Sequence, residues 1–177
     1  GVAALGYGLE DAATAEQVHG NSVGRVDSAQ GFDFPVAGAD ALVTGRPGTL
    51  LAILVADCCA VFIADKKGRG IALVHSGRKG SEMGIVSRAI FSMGELGISP
   101  GDLVAVLSPC IRPPAYEKDF AAIIQRDCLL AGIPAPQVHD AGICTSSDPG
   151  RYYSYRREGG RTGRMLALLG LSPSNGL

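Results

Sequence analysis

The chain has 177 residues, with 16 basic and 17 acidic side chains and a formal net charge of −1. This length fits one domain, here residues 1–177, and a hydrophobic share of 46% is enough for a packed core and argues against disorder. Because the charge is balanced, the sequence lacks the basic excess of nucleic-acid-binding proteins, so we do not expect nucleic acid as a partner. The 25 glycines are the unusual feature, since they make up roughly twice the ordinary share.

The cysteines and the apolar runs indicate a compartment. The cysteine count is odd and includes an adjacent pair, which disfavours a disulfide framework and favours reducing surroundings. No run approaches the roughly 18 apolar residues of a membrane span, and the first residues lack the basic region and apolar core of a signal peptide. We therefore expect a cytoplasmic protein without a membrane partner. The sequence indicates no oligomeric state.

The predicted elements begin with three short apolar runs rich in Val, Ile and Leu. These runs, Leu50–Ala56, Ala60–Asp65 and Gly70–His75, have the length and composition of buried strands. The last two flank the polar turn Lys66–Arg69, which predicts a hairpin.

Two longer segments with helical spacing follow. Apolar residues recur at helical intervals over Ser81–Leu96, where Ser81 is a predicted N-cap and Gly97 a predicted stop. Leu103–Leu107 predicts a further buried strand, and Tyr116–Ala131 a second amphipathic helix. Two helices among short, closely connected strands predict an α/β or α+β fold, with a mixed sheet rather than a doubly wound one.

Three residues are candidates for metal binding. His19 lies in the segment Gln17–Gly20, Cys58 follows the most apolar strand, and His75 closes another strand. Two imidazoles and one thiolate would give a zinc ion three protein ligands and one open position, as in catalytic zinc sites. The large separations in sequence match no local metal motif, so buried structural roles for the same residues remain open.

A second interpretation of these residues is nucleophilic. Cys58 as a thiolate, His75 or His19 as the base and Asp57 as the orienting group would form a cysteine hydrolase or transferase site. Adjacent residues of a strand point to opposite faces, so at most one of Cys58 and Cys59 is expected to face the site.

Two basic segments are candidates for anion binding. The loop after His75 combines glycines with Arg78 and Lys79 at a predicted helix N-terminus, which suits a phosphate group. Four arginines cluster within 156–164, where they predict either an anion contact or a solvated or subunit-contacting edge. For the first loop, the alternative is a solvated basic turn.

In order along the chain, eight motifs resemble those of the YfiH-like family, also called the laccase-domain or polyphenol oxidase family. They extend from about residue 15 to the C-terminus. These stretches are Gln17–Gly20, Ala39–Thr44, Ala56–Cys58, His75–Gly80, Ser108–Ile111, Tyr116–Glu117, Cys144–Thr145, and Ser154–Arg157 with Gly163–Arg164. The resemblance implies a mixed β-sandwich flanked by helices, a structural type grouped with cysteine hydrolases.

The resemblance also implies a site and an activity. The metal ligands would be His19, Cys58 and His75, with zinc favoured over copper because three histidines are too few for a multicopper cluster. The implied function is zinc-dependent purine nucleoside phosphorylase activity on adenosine, inosine, guanosine and methylthioadenosine, with adenosine deaminase activity as a further possibility. Nucleoside and phosphate would be the bound partners. Candidate residues are Cys58, His75 and Asp57 for catalysis, and Ser76, Arg78, Lys79 and Arg156 for phosphate or substrate.

The sequence departs from the family pattern at three places. Arg78 and Lys79 replace a Trp-Arg pair, which removes a stacking surface and a bidentate phosphate contact. Cys59 and Ala60 stand where a Leu-Pro pair is common. Compared with a typical member, the part that precedes Gln17 is shortened, and so is the stretch after Tyr116. The alternatives to a phosphorylase are therefore a Cys–His hydrolase, a copper-dependent phenol oxidase and a catalytically weakened metal-binding paralogue.

Overall fold

The fold is built from two β-sheets and three α-helices in a computed structural model that describes residues 2–173. The strands are β1 Ala12–Thr14, β2 Val23–Arg25, β3 Ala41–Thr44, β4 Leu50–Val55, β5 Cys59–Asp65, β6 Ile71–Ser76, β7 Leu103–Leu107, β8 Val138–Asp140 and β9 Met165–Gly170. The helices are α1 Arg78–Glu82, α2 Ile85–Glu95 and α3 Phe120–Leu130. Within residues 2–173, no helix has the length and apolar character to cross a membrane.

Both sheets mix parallel and antiparallel strands. The larger has the order β2-β3-β6-β5-β7-β8, and the smaller has the order β1-β4-β9. The smaller sheet packs on one face of the larger through residues such as Leu51, Leu42 and Leu73, while the opposite face packs against α2 and α3. The prediction of an α+β fold with a mixed β-sandwich flanked by helices is confirmed.

The strand predictions are confirmed. Strands that are buried on both faces have continuous apolar sequences, and this made them recognisable. The observed β4, β5, β6 and β7 each agree with the predicted runs to within one residue at either end. β5 and β6 pair antiparallel around the predicted polar turn, where Gly68 has a positive φ of 70°. In β6, Leu73 faces the smaller sheet and Val74 faces the helices, so alternation puts His75 and Ser76 on opposite sides.

The helix predictions need correction. The segment predicted as one helix over Ser81–Leu96 is divided at Gly84, whose φ of 71° lies in the left-handed region and interrupts the helix. Ser81 is not an N-cap but lies inside α1, where its hydroxyl donates to the Gly77 carbonyl oxygen. The helix that follows the glycine loop, α1, is therefore a single short turn. Within residues 2–173, no long helix begins at this loop, contrary to the prediction.

The second predicted helix begins four residues late. The Asp119 carboxylate accepts a hydrogen bond from the Ala122 N–H and caps α3, so the helix starts at Phe120. Tyr116 lies before it and packs edge-on against Phe120, with ring centroids 5.9 Å apart. This placement leaves Tyr116 and Glu117 in an irregular segment.

Candidate metal centre

The structure brings His19, Cys58 and His75 together. Their ligand atoms all lie within 4.8 Å of one another, although the residues come from the loop after β1, the bend between β4 and β5, and the end of β6. His19 is exposed, Cys58 is half-buried and His75 is buried. The two imidazole rings meet edge-on with centroids 4.8 Å apart. The arrangement is a three-ligand cluster at the edge of the sandwich, open on the His19 side.

Unusual backbone conformations shape the two loops of this cluster. Gln17, His19 and Asp57 have positive φ angles of 61°, 60° and 80°. Such angles are uncommon for residues with a side chain, and they persist where the surroundings fix them. The Gln17 amide supplies one such constraint, since it donates to the Leu54 carbonyl over 2.6 Å and accepts from the Leu54 N–H over 2.8 Å. These two hydrogen bonds attach the loop that carries His19 to Leu54 of β4.

A buried carboxylate, Asp40, orients both histidines. Its Oδ1 lies 2.8 Å from His75 Nδ1 and accepts the His19 backbone N–H over 2.9 Å. Its Oδ2 accepts the N–H groups of Gly20 and Val18 over 2.7 and 3.2 Å. Because Asp40 holds the Nδ1 proton of His75, the Nε2 lone pair is left for a metal.

Close backbone approach explains two of the glycines. A Cβ on Gly77 would lie 2.6 Å from Cys58 Sγ, and one on Gly80 would lie 3.2 Å from the Gly20 carbonyl oxygen. Any larger residue at Gly77 would displace the thiol, so this glycine is part of the geometry of the cluster.

The donor set fits a divalent metal such as zinc. Burial lowers the pKa of His75 below its ordinary value, which keeps the ring neutral as a ligand must be. Burial, helped by the Asp57 charge, raises the pKa of Cys58 to about 12, so in the absence of a cation this thiol is protonated at neutral pH. A coordinated cation deprotonates a thiol outright, so the cluster has the donors for metal binding and a poor environment for a free thiolate nucleophile.

Asp57, the predicted catalytic carboxylate, anchors the C-terminal loops. Its Oδ1 accepts the Thr145 hydroxyl over 2.6 Å and its Oδ2 accepts the Arg156 N–H over 2.7 Å. Asp57 is buried, and both oxygens are engaged. Its catalytic role stays a prediction, and in this arrangement it links the Cys58 loop to the arginine-rich segment.

The predicted anion-binding residues are divided between the rim of the cluster and the interior. Arg78 and Arg156 are both exposed and both pair with Glu117, and Lys79 is exposed beside Arg78. Ser76 is buried on the other side of β6, where its hydroxyl shares a 2.8 Å hydrogen bond with Ser81. A contact between Ser76 and a bound phosphate would require that pair to separate.

No sequence pattern predicts a role for Asp40, Gln17 or Glu117. All three lie inside the family motifs, at Ala39–Thr44, Gln17–Gly20 and Tyr116–Glu117, and that was the available signal. Their roles depend on partners far away in sequence, which the motifs alone do not identify.

The comparisons with known proteins agree with this architecture. The family model described as "Multi-copper polyphenol oxidoreductase laccase" matches residues 2–121 and 116–172. The chain belongs to this YfiH-like, laccase-domain family. The two matched segments overlap at 116–121, next to the stretch after Tyr116 that is predicted to be shortened.

Relatives of this laccase-domain chain share both sequence and fold. A protein of Deinococcus radiodurans named purine nucleoside phosphorylase is 36% identical over 98% of this chain and 76% of its own length. The crystal structure of YlmD from Geobacillus stearothermophilus has a TM-score of 0.89 at 28% identity, covering 97% of this chain and 77% of YlmD. The structure of Bacillus licheniformis YfiH has a TM-score of 0.86 at 26% identity, covering 97% and 78%. These relatives place the chain in a family of enzymes with purine nucleoside phosphorylase names.

Proposed function

We propose that the chain is a zinc-dependent purine nucleoside phosphorylase acting on adenosine, inosine, guanosine and methylthioadenosine. The observation that carries the proposal is the cluster of His19, Cys58 and His75 with two arginines at its rim. The names of the relatives support the same reaction class.

Phosphorolysis needs an anion held beside the anomeric carbon of the sugar. A phosphate oxygen forms a bond to that carbon, the carbon–nitrogen bond to the purine breaks, and the purine leaves with the electron pair and takes up a proton. Arg78 and Arg156, with Lys79 beside them, provide the positive charge that binds and orients phosphate. Asp57 fixes the backbone at Arg156, so this charge is held next to the cluster.

The metal would have one function at this site. A zinc ion bound by the cluster would act as a Lewis acid that polarises a substrate oxygen. Asp40 keeps the proton of His75 on Nδ1 and holds the loop of His19, so the ligand geometry is set before substrate arrives. The exposed side of His19 leaves room for a nucleoside to approach.

The alternative activities have less support from the geometry. A Cys–His hydrolase needs a reactive thiolate, whereas burial raises the pKa of Cys58 to about 12. A multicopper phenol oxidase needs more histidines than the three in the sequence, and His139 is exposed on β8. Adenosine deamination needs an acid or base near the metal, and both oxygens of Asp57 are engaged elsewhere.

The test is base release from adenosine and inosine by zinc-loaded protein, with and without phosphate. We expect adenine and hypoxanthine release only with phosphate, and an increase of about tenfold in the KM for phosphate in Arg78→Gln. Arg88→Gln, which changes an exposed arginine on α2, is the matched control and should leave the KM unchanged. Absent or phosphate-independent release would contradict the proposal.

The same assay separates the other candidates. Inosine formed from adenosine without phosphate would reveal the deaminase activity that the family resemblance implies. Zinc bound at one equivalent without turnover of any nucleoside would instead favour the catalytically weakened, metal-binding paralogue.

A further inference from the structure

The Glu117 carboxylate lies between the two arginines at the rim of the metal cluster. Its Oε2 is 2.9 Å from Arg156 Nη2, and its Oε1 is 3.6 Å from Arg78 Nη1. The two guanidinium groups belong to segments far apart in sequence, and one carboxylate bridges them. An anion therefore already occupies the position between the two positive charges.

Both arginines belong to backbone segments that adjoin the cluster. The Arg156 N–H donates to Asp57, the neighbour of Cys58, and its guanidinium lies over the Tyr116 ring, 4.8 Å from the centroid. Arg78 follows Gly77, where a Cβ would lie 2.6 Å from the Cys58 thiol. The backbones that carry the two arginines thus adjoin the cluster, and Glu117 pairs with both of their side chains.

The bridge is exchangeable. The three side chains are between 46% and 53% exposed, and ion pairs at this exposure contribute little to stability. A phosphate group carries more negative charge than one carboxylate and offers more acceptor oxygens, so it can engage both guanidinium groups. In chemical terms, a phosphate is a stronger ligand for the same pair.

We infer that Glu117 sets the affinity for phosphate as an internal competitor, occupying the position between Arg78 and Arg156 that phosphate takes when it displaces the carboxylate. The inference rests on the proposed function in taking phosphate as the second substrate. It adds a residue whose removal strengthens, rather than weakens, binding of that substrate. If Glu117 only positioned the arginines, its removal would weaken phosphate binding.

The experiment measures binding of inorganic phosphate to the purified full chain by calorimetry, without nucleoside. Glu117→Gln and Glu117→Ala should each lower the dissociation constant for phosphate by about three- to tenfold, because a competing negative charge is removed. Glu95→Gln is the matched control, because Glu95 is an exposed carboxylate on α2 and, within residues 2–173, pairs with neither arginine. It should change the constant by less than about twofold.

The outcomes distinguish this inference from the proposed function. Unchanged or weaker phosphate binding in both Glu117 variants, or no phosphate binding by any of the proteins, overturns the inference. Tighter binding in Glu117→Gln but weaker binding in Glu117→Ala also overturns it, because the side chain would then hold the arginines in place through a contact that the glutamine amide retains. Tighter binding in both variants without nucleoside turnover supports the inference and contradicts the phosphorylase.

Discussion

Asp40 and His75 are joined by two hydrogen bonds of 2.8 Å. The Asp40 carboxylate bonds to Nδ1 of the ring, and the His75 backbone N–H donates to the Asp40 carbonyl oxygen. The second bond comes from the junction of β3 and β6, so sheet pairing itself places the carboxylate beside the ring. Since the same carboxylate also accepts the N–H of His19, one buried side chain prepares two of the three ligands.

Replacing Asp40 with asparagine should weaken zinc binding by about 10- to 100-fold, the usual effect of losing a partner behind a metal-binding histidine. Asparagine has one acceptor oxygen, whereas Asp40 uses both oxygens to accept hydrogen bonds. Competition with a chelator measures the change, at a temperature where circular dichroism shows the variant folded. Asp27→Asn, at an exposed carboxylate, is the control. Equal zinc affinity in the two variants would show that Asp40 has no influence on the ligands.

A methyl group at Gly77 should abolish the cluster while leaving the fold intact. Its Cβ would lie 2.6 Å from Cys58 Sγ, so Gly77→Ala forces the thiol out of position and should reduce bound zinc to below one-tenth of an equivalent, an order-of-magnitude expectation. Gly94→Ala is the matched control, since its Cβ on α2 meets nothing within 4 Å. Alanine there should keep full zinc binding and stabilise the protein by up to about 1 kcal/mol. Full zinc content in Gly77→Ala would contradict the close contact.

The zinc-free protein should show an unreactive Cys58. Burial raises the pKa of Cys58 to about 12, whereas at Cys144 burial is outweighed by hydrogen bonds involving Ser146, which bring the pKa below its ordinary value. Iodoacetamide at pH 8 should therefore modify Cys144 before Cys58, as followed by mass spectrometry of peptides. Preferential modification of Cys58 would support the cysteine-hydrolase alternative instead.

Zinc affinity should depend on pH with a defined sign. Metal binding requires the Cys58 thiolate, and with a pKa of about 12 the thiol must lose its proton at any neutral pH. A decrease in pH from 8 to 7 should thus weaken zinc binding by about tenfold. His75 adds nothing in this range, because its pKa is lowered from 6.5 and the ring is already neutral. A pH-independent affinity, measured by competition and corrected for the chelator, would mean that Cys58 is not a ligand.

The sequence predicted the strands, and it singled out Cys58 and His75 as candidate ligands, because each of these has a local signal. Continuous apolar runs mark β4 to β7, and polar residues at their ends mark Cys58 and His75. Cys59 begins β5 and lies in the core, while Cys58, in the bend before it, lies at the cluster. His19 is a candidate by its residue type, and the family resemblance identifies it as a ligand, although no strand pattern singles it out.

The remaining parts depend on contacts that have no local pattern. The role of Asp40 comes from the pairing of β3 with β6, and that of Glu117 from two arginines in distant segments. The break at Gly84 was missed because apolar spacing continues across it, and one glycine can either interrupt or tolerate a helix. Ser76 follows His75 directly along β6, so alternation turns its side chain to the face opposite the cluster.

The most direct test of the central claim is a zinc titration of metal-free protein during phosphate-dependent hypoxanthine release from inosine. If the cluster of His19, Cys58 and His75 is the active centre, the rate should rise linearly to a plateau at about one zinc per chain, as three ligands for one ion require. His19→Ala should give no rise over the same range. A full rate without zinc, or an unchanged titration in His19→Ala, would contradict the assignment of this cluster as the catalytic metal site.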